Sequence, residues 1–174
     1  MSFLLINSIL LGIIVSLLLV LSAVWPPDSP WSPWWRTNKK IARAMCRLAK
    51  VGKDDIVYDL GSGDGTALVV AAKEFGAKGV GIEIDPLRSF ISSMLLHSNK
   101  LSDKVQIKRK NFFDVDISDA TVVFVYLVPK ALNRLLPKFK KELKKETRIV
   151  SYKYNIALPE AKIDEKNKLS LYVV

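Results

Sequence analysis

Three glycines at alternate positions separate a β-branched run from an amphipathic run in residues 59–65 (DLGSGDG). Residues 55–59 (DIVYD) have the pattern of a buried strand, and residues 66–75 have that of a helix ending at Gly76. Glycines let the backbone turn sharply and approach a ligand closely. A strand, a glycine loop and a helix in this order predict an α/β domain whose ligand lies at the carboxyl edge of a parallel sheet.

The rest of the chain continues this alternation of strands and helices. A helix starts at Pro86, and another covers residues 129–145 with a break near Pro137. The further predicted strands are residues 79–84, 105–109 at a sheet edge, 121–127 at the centre, 148–155, and a last strand in residues 168–174 paired near 161–164. This pattern predicts a Rossmann-like, doubly wound α/β sheet with crossover helices on both faces.

The N-terminal segment, residues 1–27, contains no ionisable side chain. As a helix, residues 3–24 would span about 33 Å, which is enough to cross the hydrocarbon core of a bilayer. A cleaved signal peptide would need a basic start and a shorter apolar run, and neither is present. We therefore expect a transmembrane anchor at residues 1–27, a Trp/Pro-rich interfacial linker at 28–36 and the α/β domain at 37–174.

Positive charge follows the apolar segment. The formal net charge is +10, and the stretch between Asp28 and Asp54 contains basic residues but no acid. Such a bias predicts a single-pass membrane protein with its domain on the cytoplasmic or equivalent side. A helix capped by Thr37 and ending near Lys50 would hold its basic face against an anionic membrane surface, although a solvated face is the simpler alternative.

The chain has one cysteine and one histidine, which excludes a disulfide scaffold and a zinc hydrolase. Cys46 cannot form a disulfide within the chain, and with His97 alone it cannot build a zinc site of ordinary composition. We expect no metal. Cys46 is expected to be a small buried residue, and His97 to be a surface or core residue rather than a general base.

Acidic side chains surround the glycine loop. Asp59 precedes it, Asp64 lies within it, and Glu83 ends the next predicted strand, about 20 residues after the first glycine. A carboxylate at that position can accept hydrogen bonds from both ribose hydroxyls. These acids would repel a dinucleotide pyrophosphate but would suit a ligand with an ammonium and a sulfonium, so charge favours S-adenosylmethionine over NAD.

Three segments resemble the class I S-adenosylmethionine-dependent methyltransferases: VYDLGSGDG at residues 57–65, GVGIEIDP at 79–86 and NFFDVDISDATVVFVYLVP at 111–129. More narrowly, residues 33–155 are similar to the small membrane-anchored protein-lysine methyltransferases. This family includes the ATP synthase c-subunit and adenine nucleotide translocase lysine methyltransferases and archaeal relatives. Where its members often have an aromatic-x-Pro-Thr segment, this chain has WWRT at residues 34–37.

The resemblance implies roles for residues around the loop. It puts Asp59 near the methionine ammonium, Glu83 on the ribose, and two residues after the third strand beside the adenine. The implied cofactor-binding residues are Asp59, Gly61, Gly63, Gly65, Glu83, Asn111 and Phe112. Phe112 and Phe113 are also candidates for the core, and we expect at least one of them to be there.

The acceptor is expected at the carboxyl end of the fourth strand. Methyl transfer is an in-line displacement, so the enzyme mainly positions the nucleophile, and a lysine amine must first lose a proton. Tyr126 is the candidate catalytic residue, because its ring and hydroxyl can hold a cation at that strand end. Tyr152 and Tyr154 are alternatives, for which packing in the sheet is an equally good interpretation.

The resulting hypothesis is an anchored protein-lysine N-methyltransferase that acts on a membrane protein, since an anchor raises the effective concentration of substrates in the same bilayer. Methylation of a lipid headgroup or lipophilic small molecule is a second hypothesis, and a non-catalytic cofactor-binding membrane module is a third. Nucleic acid is disfavoured. Residues 126–129 (YLVP) lack the polar-Pro-Pro-aromatic pattern typical of methyltransferases that modify adenine N6, and the lysines of residues 138–145 fit a solvated or lipid-facing helix.

Overall fold

The computed structural model describes residues 3–24 and 35–174. Its helices are α1 (Phe3–Val24), α2 (Lys39–Leu48), α3 (Thr66–Phe75), α4 (Pro86–Ser98) and α5 (Pro129–Glu142). Its strands are β1 (Ile56–Leu60), β2 (Lys78–Glu83), β3 (Val105–Arg109), β4 (Val122–Val125), β5 (Arg148–Tyr152), β6 (Glu160–Asp164) and β7 (Leu169–Val173).

The strands form one sheet in the order β3-β2-β1-β4-β5-β7-β6. Strands β1 to β5 run parallel, and β7 is antiparallel to both β5 and β6. The chain winds outward from β1 in two directions, and the strand order reverses between β1 and β4, where open α/β sheets bind ligands. The predicted Rossmann-like, doubly wound α/β sheet is confirmed, including β3 at an edge and the pairing of the last strand with β6.

Two apolar layers cover the faces of the sheet. Alternate residues of β4 enter opposite layers: Val122 and Phe124 join one, and Val123 and Val125 join the other. The first layer packs against α2, α3 and α4, and the second packs against α5. In the described part of the chain both layers use only residues from Ile41 onward, so the core of the sheet is built without α1.

Some predicted ends of helices and strands were wrong. The cap of α2 is Asn38, whose side chain accepts a backbone hydrogen bond of the first turn, and not Thr37. β5 ends at Tyr152, because Lys153 has φ +67°, which a strand cannot accommodate. The helix α5 continues through Pro137 instead of breaking there.

The N-terminal predictions fall on α1 and on the segment after it. The side chains described between residues 5 and 21 of α1 are exposed. Among the described residues, no helix qualifies by length and apolarity as a membrane span, so the predicted transmembrane helix is not confirmed. The predicted linker at 28–36 lies outside the described residues except for Trp35 and Arg36. The boundaries of the three predicted segments therefore stay predictions.

Candidate functional site

The glycine loop joins β1 to α3 through a left-handed backbone. Gly61, Gly63 and Gly65 have φ values of +82°, +54° and +76°, a region that residues with a Cβ rarely adopt. Space is also lacking at Gly65, where an added Cβ would lie 2.3 Å from Oγ of Ser92. Glycine at position 65 therefore lets the chain follow this path into the first turn of α3 without strain.

Glu83 ties this loop to the end of β2. Its Oε2 accepts a hydrogen bond from the N–H of Gly63 at 2.8 Å, and its Oε1 accepts one from the N–H of Asp85 at 3.0 Å. The residue is only 6% exposed, and burial raises the pKa of its carboxyl. Each oxygen has a second lone pair. The carboxylate can therefore hold the loop in place and still accept hydrogen bonds from ribose hydroxyls.

Two further carboxyl groups lie near Glu83. Burial, followed by the negative charges of Glu83 and Asp64, raises the pKa of Asp59 to about 7. Asp64 is partly neutralised, because Nε of Arg36 lies 2.6 Å from its Oδ2, although the Arg36 side chain is largely exposed. A cation beside Asp59 would relieve the repulsion among these acids. An ammonium bound beside Asp59 would therefore favour the ionised form of this carboxyl.

Two buried hydroxyls complete this side of the site. Oγ of Ser62, in the loop, and Oγ of Ser92, on α4, have no hydrogen-bond partner within the described residues. A buried polar group without a partner costs about 1–3 kcal/mol, and such groups are expected where a ligand supplies the partner. With the glycine cradle and the carboxyls of Asp59 and Glu83, these features fit the ribose and the cationic amino-acid end of S-adenosylmethionine.

The predicted adenine residues follow β3. Arg109 is the register partner of Glu83, so Asn111 lies just beyond the same edge of the sheet. Oδ1 of Asn111 accepts a hydrogen bond from the N–H of Phe113 at 3.1 Å, which uses this oxygen in a local turn. Phe112 and Phe113 are half-buried against the second apolar layer, with ring centroids 4.6 Å apart. Contact of Asn111 and Phe112 with adenine stays a prediction.

Tyr126 follows β4 directly and lies between the glycine loop and the end of β5. This position results from the order of the strands, because β4 pairs with β1 on one side and with β5 on the other. The ring centroid of Tyr126 is 4.4 Å from that of Tyr152 and 6.5 Å from that of Tyr154. The three tyrosines that the sequence left as alternatives are therefore brought together in one cluster.

A lysine ammonium lies over this cluster. Nζ of Lys153 is 5.1 Å, 5.2 Å and 5.8 Å from the ring centroids of Tyr126, Tyr152 and Trp35, within the range of cation–π attraction. The hydroxyl of Tyr126 is the main cause of the raised pKa of Lys153. We call Trp35, Tyr126 and Tyr152 the aromatic cage. Sequence reasoning missed Lys153 and Trp35 as site residues, since the cage joins segments far apart in the chain, and YKY at 152–154 was the local signal.

Cys46, His97 and the basic stretch at 138–145 are the features to which the sequence assigned no role in the site. Cys46 is fully buried, as predicted, and burial raises the pKa of its thiol to about 12. His97 is exposed on α4. Lys138 of the basic stretch pairs with Glu142 at 2.8 Å, within α5. None of these three observations adds a group to the glycine loop or to the aromatic cage.

The sheet, the glycine loop and the carboxylate at the end of β2 define a class I S-adenosylmethionine-dependent methyltransferase, an assignment that the match to a solved methyltransferase structure supports. Residues 59–163 match the ANTKMT methyltransferase domain, and the chain belongs to this family. The family, the enzyme class and the cofactor predicted from the sequence are confirmed.

Similar proteins agree with this assignment. A protein-lysine N-methyltransferase of Saccharolobus islandicus (strain REY15A) is 44% identical over 128 residues, which cover 73% of this chain and 80% of the relative. An ATP synthase c-subunit lysine N-methyltransferase of Xenopus laevis is 27% identical, covering 72% of this chain and 53% of its own length. The crystal structure of an RNA methyltransferase from Salinibacter ruber with S-adenosyl-L-homocysteine matches with a TM-score of 0.77 and 33% identity, covering 80% of this chain and 93% of that one.

Proposed function

We propose that this chain is a protein-lysine N-methyltransferase whose acceptor lysine binds in the aromatic cage beside the glycine loop. The observation that supports this most directly is the ammonium of Lys153, which lies within 5.8 Å of three ring centroids. A surface that holds one lysine ammonium has the chemistry to hold another. The names of the relatives from Saccharolobus islandicus and Xenopus laevis also refer to lysine.

On this proposal the cofactor lies across the carboxyl edge of β1, β2 and β3. Asp59 holds the ammonium of its methionine part, and Glu83 accepts hydrogen bonds from the ribose. The loop glycines, Gly61, Gly63 and Gly65, let the backbone approach it, and Asn111 and Phe112 flank its adenine. The buried position of Asp59 and the raised pKa of its carboxyl support the first assignment, since a cation there favours the charged form.

The cofactor supplies an electrophilic methyl group on a sulfonium. The protein has to hold the acceptor nitrogen in line with that group and let it lose a proton, because an unperturbed lysine has a pKa of about 10.4. The rings of Tyr126 and Tyr152 can hold the ammonium before transfer. The nearby positive charge and partial desolvation then favour the neutral amine. Tyr126 is the proposed catalytic residue, as it contacts the ammonium and directly adjoins the loop.

The proposal includes a membrane anchor at residues 1–27, a domain on the cytoplasmic side and a membrane protein as substrate. Two features support it. The segment has no ionisable side chain, and among the described residues neither apolar layer of the sheet includes a residue of α1, so these side chains are left for another apolar environment. On the domain, α4 exposes an apolar stripe at helical spacing, formed by Leu87, Phe90, Ile91 and Met94. Residues 25–38 reach at most about 50 Å when extended, so a membrane-held α1 would keep the start of α2 within that distance of the bilayer.

RNA is a second candidate acceptor, because of the name of the Salinibacter ruber structure. Exposed lysines near the end of α5, at positions 140, 141, 144 and 145, could bind phosphates. The aromatic cage is better suited to a protein lysine, since a nucleobase nitrogen carries no positive charge for the rings to attract. The observations therefore favour lysine.

The acceptor class can be tested with S-adenosylmethionine labelled in its methyl group. The full-length protein is incubated with total membranes and, separately, with total RNA of the source organism. We expect label in the protein fraction as methyl-lysine, its loss in Glu83→Ala and Tyr126→Ala variants, and its retention in Glu160→Ala, which changes an exposed glutamate at the far edge of the sheet. Label recovered only in lipid or only in RNA would contradict the proposal.

The anchor is tested by comparing the full chain with a form lacking residues 1–27, which removes none of the described residues of either apolar layer. We expect equal affinity for S-adenosylmethionine and weaker methylation of native membranes by the shortened form. Equal methylation of native membranes by both forms would contradict the anchor and leave the lysine assignment intact.

A further inference from the structure

Lys153 is held in an unusual backbone conformation. Its φ of +67° lies in the left-handed region, which is strained for a residue with a Cβ. Its N–H donates a hydrogen bond to the carbonyl of Lys168 at 2.8 Å, and the hydroxyl of Ser151 donates one to the carbonyl of Tyr154. The turn is therefore fixed on both sides, and it directs the Lys153 side chain over the cage.

The position of this side chain matches that expected for a substrate. β5 lies two strands from β1, which corresponds to about 10 Å. The Lys153 side chain extends from the end of β5 toward Tyr126, which directly follows β4, the strand between them. Val125 pairs with Leu60 at the end of β1, so the backbone of Tyr126 comes next to the start of the glycine loop. The ammonium therefore lies on the loop side of its own backbone, in the place proposed for an acceptor.

A purely structural role explains this lysine less well. Glycine would adopt φ +67° without strain, and the side chain is exposed, so the fold gains no buried apolar contact from it. What the side chain contributes is one ammonium over three rings. The enzyme thus holds a lysine of its own where it is proposed to hold the substrate lysine.

We propose that Lys153 is a methylation site of this enzyme, modified by the same molecule that carries it. The inference rests on the proposed function, because it requires the cage to be the acceptor site. In the step, Nζ loses one proton to solvent and its lone pair forms a bond to the methyl carbon. The bond between sulfur and that carbon breaks, and its electron pair stays on sulfur, which leaves S-adenosylhomocysteine as a neutral thioether.

The experiment uses the purified full chain and S-adenosylmethionine with a deuterated methyl group, with no other acceptor present. Peptide mass spectrometry locates the label, and the reaction is repeated after dilution of the protein. We expect label on Lys153 with a first-order rate constant that does not change on dilution. A rate constant that falls in proportion to protein concentration would overturn modification within one molecule.

A matched pair of variants separates the site from general lysine reactivity. Lys153→Gly removes the side chain and relieves the backbone strain, so it should fold. Lys100→Gly makes the same change at another left-handed lysine, φ +56°, after α4. We expect complete loss of self-labelling in Lys153→Gly and no change in Lys100→Gly. Equal labelling of the two variants would overturn the proposal.

A parallel reaction with poly-lysine as added acceptor tests self-methylation of Lys153 separately from the proposed lysine methyltransferase activity. Label on poly-lysine but none on Lys153 would overturn self-methylation and leave the proposed function standing. No label on either, in protein that binds S-adenosylmethionine, would overturn both.

Discussion

Gly63 and Glu83 are joined by a hydrogen bond of 2.8 Å from the glycine N–H to Oε2 of the glutamate. One carboxylate thus shapes the glycine loop and also lies where the ribose is proposed to bind. Oε1 of Glu83 accepts a hydrogen bond from the N–H of Asp85, so both oxygens of the carboxylate face backbone donors.

Replacing Glu83 by glutamine should therefore damage cofactor binding even though the side chain keeps its size. The amide nitrogen would face a backbone N–H, so one hydrogen bond to a charged acceptor becomes a contact between two donors. We expect a loss of about 2 kcal/mol, or roughly 30-fold in Kd for S-adenosylmethionine, measured by calorimetric titration. Glu160→Gln, on β6 at the far edge, is the control, and an unchanged Kd in Glu83→Gln would refute the role given to this carboxylate.

Cofactor affinity should depend on pH through Asp59. Its pKa is raised to about 7 by burial and by neighbouring acids, and an ammonium bound beside it favours the ionised form. Binding at pH 6 should therefore release a proton, and affinity should rise between about pH 5.5 and 7.5. Calorimetry in buffers of different ionisation enthalpy measures the proton. In Asp59→Asn the affinity should be lower and the slope absent; a wild-type affinity that is flat over this range would count against the assignment.

The carboxyl of Asp59 should also make the stability of the cofactor-free protein fall as the pH rises. The pKa of Asp59 is higher in the folded state than its ordinary value of 3.8, so the folded state binds more protons. Its contribution to stability is complete below about pH 4 and is lost as the pH rises through about 7. Urea unfolding of wild type and Asp59→Asn should show the difference between them change in this interval.

The parts of the fold that the sequence predicted depend on local chemistry. Gly76 ends α3, Pro86 begins α4 and Glu83 ends β2, because a left-handed cap, a fixed φ and a strand terminus each have a signature within a few residues. Asn38 and Thr37 are both good caps, so adjacent candidates could not be ranked without the backbone.

The parts of the site that the sequence did not predict depend on contacts between residues far apart in the chain. Lys153 looked like one more strand residue, and its left-handed turn appears only with the hydrogen bond to Lys168. The sequence placed Trp35 in an interfacial linker, which stays a prediction, and gave no sign that its ring lies 5.8 Å from Nζ of Lys153. The ion pair of Arg36 with Asp64 joins segments that no local pattern links.

The contact between Gly65 and Ser92 predicts a coupled pair of mutations. Gly65→Ala places a Cβ 2.3 Å from Oγ of Ser92 and keeps a left-handed φ, so we expect a loss of about 2–3 kcal/mol in the free energy of unfolding. Ser92→Ala removes a hydroxyl without a partner and should be close to neutral. In the double variant the clash disappears and the strain remains, so about half of the loss should be recovered. Strictly additive effects in urea unfolding would show that the two residues do not touch.

Stability at the other end of the sheet should be separable from cofactor binding. Asp55 precedes β1, opposite the glycine loop, and its Oδ1 accepts hydrogen bonds from Oγ1 of Thr121, at 2.6 Å, and from Arg148. Asp55→Asn removes the charge that Arg148 faces. Since this pair is only partly buried, we expect a loss of about 2 kcal/mol in unfolding free energy, seen as a lower urea midpoint.

The exposed neighbour Asp54 offers the matched control, because Asp54→Asn should leave the midpoint unchanged. Calorimetric titration of folded Asp55→Asn should give the wild-type Kd for S-adenosylmethionine. Asp59 and Glu83 lie near the carboxyl ends of β1 and β2, whereas Asp55 lies at the amino end of β1. A weaker Kd in the folded variant would mean that the Asp55 network also sets the geometry of the glycine loop. In that case a destabilised enzyme would lose activity before it unfolds, because strain at the amino end of β1 would reach the cofactor through the strand.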